Sequence, residues 1–188
     1  MKSLANLLGQ PAGQPIIEDD VLELHAARLL LLISICGTKT KGTGVLRVDG
    51  LTKMAKLDFL VRYPEFFEKL ASHLGEPAKA PLHEVESSMV RFHYGPWDER
   101  YYHILGYLES RSLLSVEKDG STFKFGLTPE GVEIAQRFAD SASFSALAEH
   151  MRNVKKLVGS MGGTKLKDII YEVFGEEIVN RKIGESIS

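Results

Sequence analysis

The stretch LLSVEKDGSTFKFGL (113–127) decides the fold. Each half alternates apolar and polar residues with the period of two that is typical of half-buried strands. Between the halves lies Asp119-Gly120, the pair that a two-residue type I′ turn prefers. The stretch therefore predicts a β-hairpin with its apolar side chains on one face. The predicted partners are Lys118 with Ser121, Val116 with Phe123 and Leu114 with Phe125.

A strand and a helix are predicted directly before this hairpin. Residues 89–94 (MVRFHY) alternate again, which predicts a strand that ends at Gly95-Pro96. From Trp97 to about Ser112, apolar residues recur at helical spacing. This order, a helix followed by a hairpin with a short tip, is typical of a winged helix-turn-helix. The helix is at the position of the recognition helix, and the hairpin is the wing.

The other segments are predicted to be mostly helical. Val21–Ile35 is apolar on nearly every face, so this helix is buried either in the core of this chain or against another subunit. Thr128-Pro129 is typical of a helix N-terminus, since Thr caps the first turn and Pro fits it. Further helices are predicted over 51–63, 65–74, 144–158 and 165–174, with loops at 38–50 and 75–83.

The predicted fold class is α+β, mostly α: a winged helix-turn-helix with an N-terminal buried helix and a C-terminal helical extension. The predicted divisions are a flexible N-terminal arm (1–16), a winged-helix domain (17–140) and the helical extension (141–188).

Composition excludes several classes of protein. A chain of 188 residues that is 44% hydrophobic and 26% charged can bury a core, which excludes a wholly disordered protein. The single cysteine, Cys36, excludes an intrachain disulfide framework and a multi-cysteine zinc site. The longest apolar run, Leu29–Ile33, is too short to span a bilayer, and residues 1–15 lack the pattern of a signal peptide. We therefore expect a cytoplasmic protein without a membrane partner.

No catalytic, cofactor or metal site is predicted, so we do not expect an enzyme. The loop GTKTKGTG (37–44) lacks the lysine of a phosphate-binding loop, because Thr43 stands at that position. His93, Glu99 and His103 are close enough in sequence for a two- or three-ligand metal site. Since no HExxH or paired Cys/His spacing supports such a site, we interpret both histidines as surface residues.

The predicted recognition helix is not basic. Residues 96–112 hold two Arg against one Asp and two Glu, with no Asn or Gln. A helix that reads DNA presents cations or amides to phosphates and base edges. This segment therefore favours a protein partner, and exposed tyrosines are typical of binding hot spots. The predicted protein interface comprises Trp97, Tyr102, Tyr107, Leu29 and Leu30.

Positive charge collects in two other segments. Either segment could contact a nucleic-acid backbone without reading sequence, and either could equally be a solvated basic surface. The candidate backbone contacts are Lys39, Lys41, Arg47, Lys53 and Lys56 in the first segment, and Arg152, Lys155, Lys156, Lys165 and Lys167 in the second.

Several motifs together resemble a known family. They are LLLLI (29–33), KMAKLDFLVRYP (53–64), RFHYGPWDERYY (91–102), the Asp-Gly hairpin and LTPEG (127–131). Over about residues 20–140 the chain resembles the winged-helix middle components of bacterial ABC-three-component systems, as in Lamassu-type antiphage defence. The resemblance implies a non-catalytic subunit that bridges an SMC-like ATPase and an effector, close to DNA. It carries no functional residues over to this sequence.

A second function fits the same fold. A winged-helix transcriptional regulator would bind DNA as a dimer and read its site with helix 97–111. The regulator predicts sequence-specific, salt-sensitive binding to duplex DNA by the isolated protein. The accessory subunit predicts weak binding without sequence preference, and a stable complex with another protein.

Overall fold

The structure is a computed structural model that describes residues 21–80, 89–92, 95–179 and 186–187. The predicted arm at 1–16 lies outside these residues. The α-helices are α1 (Leu22–Cys36), α2 (Leu51–Arg62), α3 (Pro64–His73), α4 (Tyr101–Ser110), α5 (Pro129–Ala139), α6 (Ser145–Val158) and α7 (Gly163–Val179), with a short 3₁₀ helix at Ala142–Phe144. The strands are β1 (Thr38–Lys39), β2 (Leu46–Asp49), β3 (Met89–Phe92), β4 (Gly95–Trp97), β5 (Leu114–Asp119), β6 (Thr122–Leu127) and β7 (Ser186–Ile187).

The strands form two small antiparallel sheets. One has the order β1-β2-β6-β5 and the other the order β4-β3-β7. Strand β2 joins the hairpin sheet along β6, where Val48 pairs with Phe125. Both side chains are buried, at 1% and 3% exposure. The described chain is therefore a mostly helical α+β fold with small antiparallel sheets.

The β5–β6 hairpin is confirmed, but its predicted register is wrong by two residues. The observed partners are Asp119 with Thr122, Lys118 with Phe123, Val116 with Phe125 and Leu114 with Leu127. The turn residues are Gly120, with φ of 58°, and Ser121. A glycine that leads a two-residue loop is typical of a type II′ turn, not of the predicted Asp-Gly turn. Because the shift is an even number of residues, the same side chains stay on one face of the hairpin. Leu114 and Phe125 are buried on this face, whereas Phe123 near the tip is 42% exposed.

Two other local predictions need correction. The predicted loop at 38–50 contains β1 and β2, which are short strands that pair with each other. The helix predicted to begin at Trp97 begins at Tyr101, because Trp97 pairs with Val90 in the second sheet. Asp98 then turns the chain, since its carboxylate accepts a hydrogen bond from the Arg100 backbone N–H at 3.0 Å.

Helix α1 lies at the centre of the hydrophobic core. It packs against α2, α4, α5 and α6 and against the hairpin sheet. Residues 29–33 are at most 1% exposed. The apolar run is thus buried in the core of this chain and not against another subunit, the two alternatives that the sequence left open. Leu29 and Leu30 are core residues and are unavailable to a partner.

The two C-terminal helices pack on the same core. The ring of Phe174 on α7 lies 4.9 Å from that of Phe66 on α3 and 6.4 Å from that of Phe59 on α2. On α6, Met151 and Val154 are fully buried. Among the residues described, no helix is long and apolar enough to cross a membrane.

Candidate interaction surfaces

Helix α4 has one face in the core and one face in solvent. The core side chains are Tyr101, Ile104, Leu105 and Leu108. Tyr102 is 69% exposed, and its ring centroid lies 6.2 Å from that of the half-buried Trp97. Two of the predicted interface residues therefore lie side by side at the start of α4. The third aromatic residue, Tyr107, is half-buried.

The exposed surface formed by α4 and the turn before it is acidic. Glu99, two residues before the helix, and Glu109 are exposed, and neither forms an ion pair with a residue that the structure describes. The guanidinium of Arg111 lies 5.1 Å from the ring centroid of Tyr107, where a cation–π contact holds it. Two carboxylates thus stand against one exposed cation on this surface.

Arg100 is engaged within the protein. Its Nε donates to Asp98 Oδ1 at 2.9 Å and its Nη2 donates to Asp98 Oδ2 at 2.7 Å. This is the two-pronged pairing that arginine makes with a carboxylate. A third nitrogen, Nη1, lies 2.8 Å from His25 Nε2 on α1. One of the two arginines of the predicted recognition helix is therefore committed to the fold.

The tip of the β5–β6 hairpin carries no net charge. Lys118 and Lys124 stand against Glu117 and Asp119. Lys124 forms an ion pair with Asp119, and the ammonium of Lys118 lies 5.7 Å from the Phe123 ring centroid. The tip thus offers little attraction to a phosphate backbone.

Helix α6 carries three exposed cations close together. Arg152, Lys155 and Lys156 are spaced at i, i+3 and i+4, so they share the solvent face opposite the buried Met151 and Val154. None of the three cations forms an ion pair within the described residues. They form a free basic surface of the kind that contacts phosphates.

The two basic segments of the sequence meet at the C-terminal end of α6. Lys53 Nζ on α2 donates to the carbonyl of Gly159 at 3.1 Å. Cys36 lies between the segments, since its Sγ donates to the carbonyl of Met151 at 3.4 Å. Burial raises the pKa of the Cys36 thiol to about 12, although the nearby Lys155 and Lys53 ammonium groups act to lower it. Lys53 is thereby held beside the α6 cations, and the thiol stays protonated and unreactive at neutral pH.

The remaining predicted backbone contacts fall into two groups. The first group is exposed and forms no ion pair with the residues that the structure describes: Lys39, Lys41 and Lys165. Arg47 is paired with Asp49 at 2.8 Å, and Lys167 lies 3.2 Å from Asp168. Lys56 is 1% exposed, so its assignment to a phosphate-binding surface is wrong. Its Nζ donates instead to the carbonyl of Pro96 at 3.3 Å.

A buried ionic network connects α1, α2 and the start of α4, and it is absent from the predicted sites. Arg28 Nε on α1 donates to Asp58 Oδ1 at 2.9 Å. One turn along α2, Arg62 Nη1 donates to Asp98 Oδ2 at 2.8 Å and lies 3.5 Å from Asp58 Oδ2. The bidentate Asp98–Arg100 pair completes the network, which holds α4 against the two core helices.

The network keeps its carboxylates ionised. Burial acts to raise the pKa of Asp58, but the guanidinium groups of Arg28 and Arg62 and the hydrogen bonds outweigh it and lower that pKa below its ordinary value. Burial also acts to raise the pKa of Asp98. The hydrogen bonds from Arg100 outweigh this effect and hold that pKa well below its usual range. Arg28 inside an apolar helix, and Asp58 with Arg62 at i, i+4 spacing, were the sequence signals for this network.

The described residues contain no group of three or more His, Cys, Asp or Glu side chains that could hold a metal ion. His93, one of the two histidines interpreted as surface residues, lies outside the described residues, and His103 is exposed on α4. No family model matches the chain, and neither the curated proteins nor the solved structures include a match to it.

Proposed function

We propose that the chain is a non-catalytic accessory subunit built on a winged helix, and that it binds another protein through α4. The order of elements supports the winged helix: α1, α2 and α4 precede the β5–β6 hairpin, and β2 pairs with β6. In this assignment α4 takes the place of the recognition helix and the hairpin is the wing.

One observation carries the proposal: on the exposed surface of α4 and the turn before it, two carboxylates stand against one exposed arginine, Arg111. Glu99 and Glu109 are unpaired among the described residues, whereas Arg100 is bound to Asp98. A duplex carries one negative charge per about 1.7 Å of its axis, so an acidic face is repelled by it. An exposed tyrosine between carboxylates suits a protein partner instead.

The basic surface of α6 supports a second, weaker contact. Arg152, Lys155 and Lys156, together with Lys39, Lys41 and Lys165, can neutralise phosphates without contacting base edges. We assign to this surface a sequence-independent contact with the DNA backbone. It lies on elements other than α4, so protein and DNA can be tested separately.

The sequence resemblance suggests the identity of the partners. They are an SMC-like ATPase and an effector of a bacterial antiphage defence system, in the cytoplasm, and the proposed subunit bridges them. The alternative, a dimeric transcriptional regulator, requires α4 to enter the major groove, which Glu109 on this helix and Glu99 in the turn before it disfavour.

Binding to labelled duplexes of several unrelated sequences tests the DNA part of the proposal. We expect the isolated chain to bind all duplexes weakly and alike at low salt. K155E/K156E should abolish most of this binding and reduce the salt slope by roughly 2, because about 0.9 counterions are released per phosphate contact. R111E, which reverses the exposed arginine after α4, is the matched control and should bind like wild type. Tight, site-selective binding that R111E weakens would establish the regulator instead.

Co-expression with the products of the neighbouring genes tests the protein part. A tagged chain should co-purify with an SMC-like ATPase, and K155E/K156E should retain that complex. Y102A should lose it, since it removes the largest exposed apolar side chain of α4. Absence of the ATPase from the wild-type eluate, with all proteins expressed and soluble, contradicts the accessory role.

A further inference from the structure

Gly106 lies at the centre of the exposed face of α4. At about 100° per residue, Tyr102 precedes it by one turn on the same line and Ser110 follows by one turn. Glu109 lies near the end of this face, Glu99 lies in the turn two residues before the helix, and all five positions are exposed. The exposed face of α4 therefore has a residue without a side chain at its midpoint.

The folding of this chain does not require glycine at position 106. A Cβ built there meets no heavy atom within 4 Å, and α4 continues for one turn on each side. Glycine inside a helix is destabilising relative to alanine, because the unfolded chain loses more conformational freedom on folding. The residue thus weakens α4 without giving space to any described neighbour.

We propose that α4 binds a basic α-helix of a partner protein, which crosses it at Gly106. The proposal rests on the function proposed above and names the class of partner segment. Helix axes pack 8–10 Å apart, depending on the side chains at the crossing, and glycine permits the closest approach. Tyr102 packs beside the crossing, while Glu99 and Glu109 pair with lysine or arginine on the partner helix.

Charge selects this occupant over two others. Duplex DNA is repelled by both carboxylates. A second copy of this chain, placed face to face on α4, would bring four carboxylates together against only two exposed arginines, one Arg111 from each copy, so the net effect is repulsion. A helix with an apolar stripe flanked by cations can pack its stripe against Tyr102 and pair its cations with both glutamates.

Selection of peptides from a random library on the full chain tests the proposal and does not require an identified partner. The displayed peptides should be about 16 residues long, enough for four helical turns. We expect the enriched sequences to be basic, with apolar residues at i, i+3, i+4 and i+7. Enriched peptides without a charge bias or helical periodicity would overturn the proposal.

Variants then locate the binding site of the selected peptides. G106L should weaken their binding about tenfold or more by filling the crossing point, and E99K/E109K should weaken it by charge repulsion. Leucine is a better helix former than glycine, so G106L is expected to fold, which circular dichroism checks. G162L is the control, since a Cβ at Gly162 also meets nothing within 4 Å. Equal binding by wild type and G106L contradicts the proposal.

The two proposals fail in different ways. If the ATPase complex forms but wild type and G106L bind the selected peptides equally, only the inference about Gly106 is wrong. If the chain binds duplex DNA site-selectively and R111E weakens that binding, the proposed function is wrong.

Discussion

The phenol of Tyr101 donates a hydrogen bond to Asp58 Oδ2 at 2.8 Å, and neither side chain is exposed to solvent. The same carboxylate accepts a hydrogen bond from Arg28 and lies beside Arg62. A charge with no access to water must be paired and hydrogen-bonded, and this one is. Tyr101 is the first residue of α4, so the contact anchors the start of this helix to α2.

The first prediction concerns this pair. Asp58→Ala should destabilise the protein by about 3–5 kcal/mol, because it removes the carboxylate that pairs with the buried Arg28 and leaves Arg62 with Asp98 alone. Tyr101→Phe should cost about 1–3 kcal/mol, since the carboxylate loses one donor. Urea denaturation measures both free energies of unfolding. The control is Tyr102→Phe, which changes an exposed neighbour and should stay within about 0.5 kcal/mol of wild type. Equal effects at positions 101 and 102 would contradict the role of the network.

The second prediction concerns stability in acid. The pKa values of Asp58 and Asp98 are lower in the folded protein than in the unfolded chain. As the pH falls below about 4, the unfolded chain binds protons first, so stability present above that pH is progressively lost. The urea midpoint should therefore fall steeply between about pH 4 and pH 2. Asp98→Asn should be less stable at neutral pH and show a shallower fall than Asp49→Asn, the exposed control.

The third prediction concerns Lys56. Burial, with a smaller effect of the nearby Lys167 ammonium, lowers the pKa of Lys56 to about 7. Between this value and the ordinary value of 10.5, the unfolded chain binds the extra proton, so stability rises with pH. From pH 7 to pH 8.5 the free energy of unfolding should increase by about 1.5 kcal/mol.

Lys56→Met separates this effect from other titrations. It should be more stable than wild type at pH 7 and lose the rise in stability with pH. Lys69→Met, at an exposed position, should keep the wild-type pH dependence. A wild-type stability that is flat from pH 7 to pH 8.5 would show that Lys56 remains charged in the fold.

The elements with strong local signals were predictable from the sequence. Thr128 caps α5 as predicted, with its hydroxyl accepting a hydrogen bond from the Gly131 N–H at 2.9 Å. The hairpin, α2, α3 and α6 also follow their patterns. Register was not predictable, because both Asp119-Gly120 and Gly120-Ser121 can form a two-residue turn on the same face.

The misplaced elements depend on long-range pairing. Strand β2 has only four residues and forms because β6 offers it a partner more than 70 residues away in the chain. Trp97 fits a helical pattern, but it lies in a strand because its backbone pairs with that of Val90. For the candidate surfaces, the sequence placed Tyr102 and the α6 cations in solvent. It could not show that Lys56 faces inward, since burial of a lysine depends on a distant acceptor such as the Pro96 carbonyl.

The last prediction compares the same substitution at two helical glycines. A Cβ at Gly131 would lie 1.9 Å from the carbonyl oxygen of Leu113, whereas a Cβ at Gly106 meets nothing within 4 Å. Gly131→Ala should therefore destabilise the protein by about 2–3 kcal/mol, as overpacking forces α5 away from the α4–β5 connection. Gly106→Ala should stabilise it by about 0.5–1 kcal/mol through helix propensity. Urea midpoints that move in opposite directions support this interpretation of both positions, and midpoints that move together refute it.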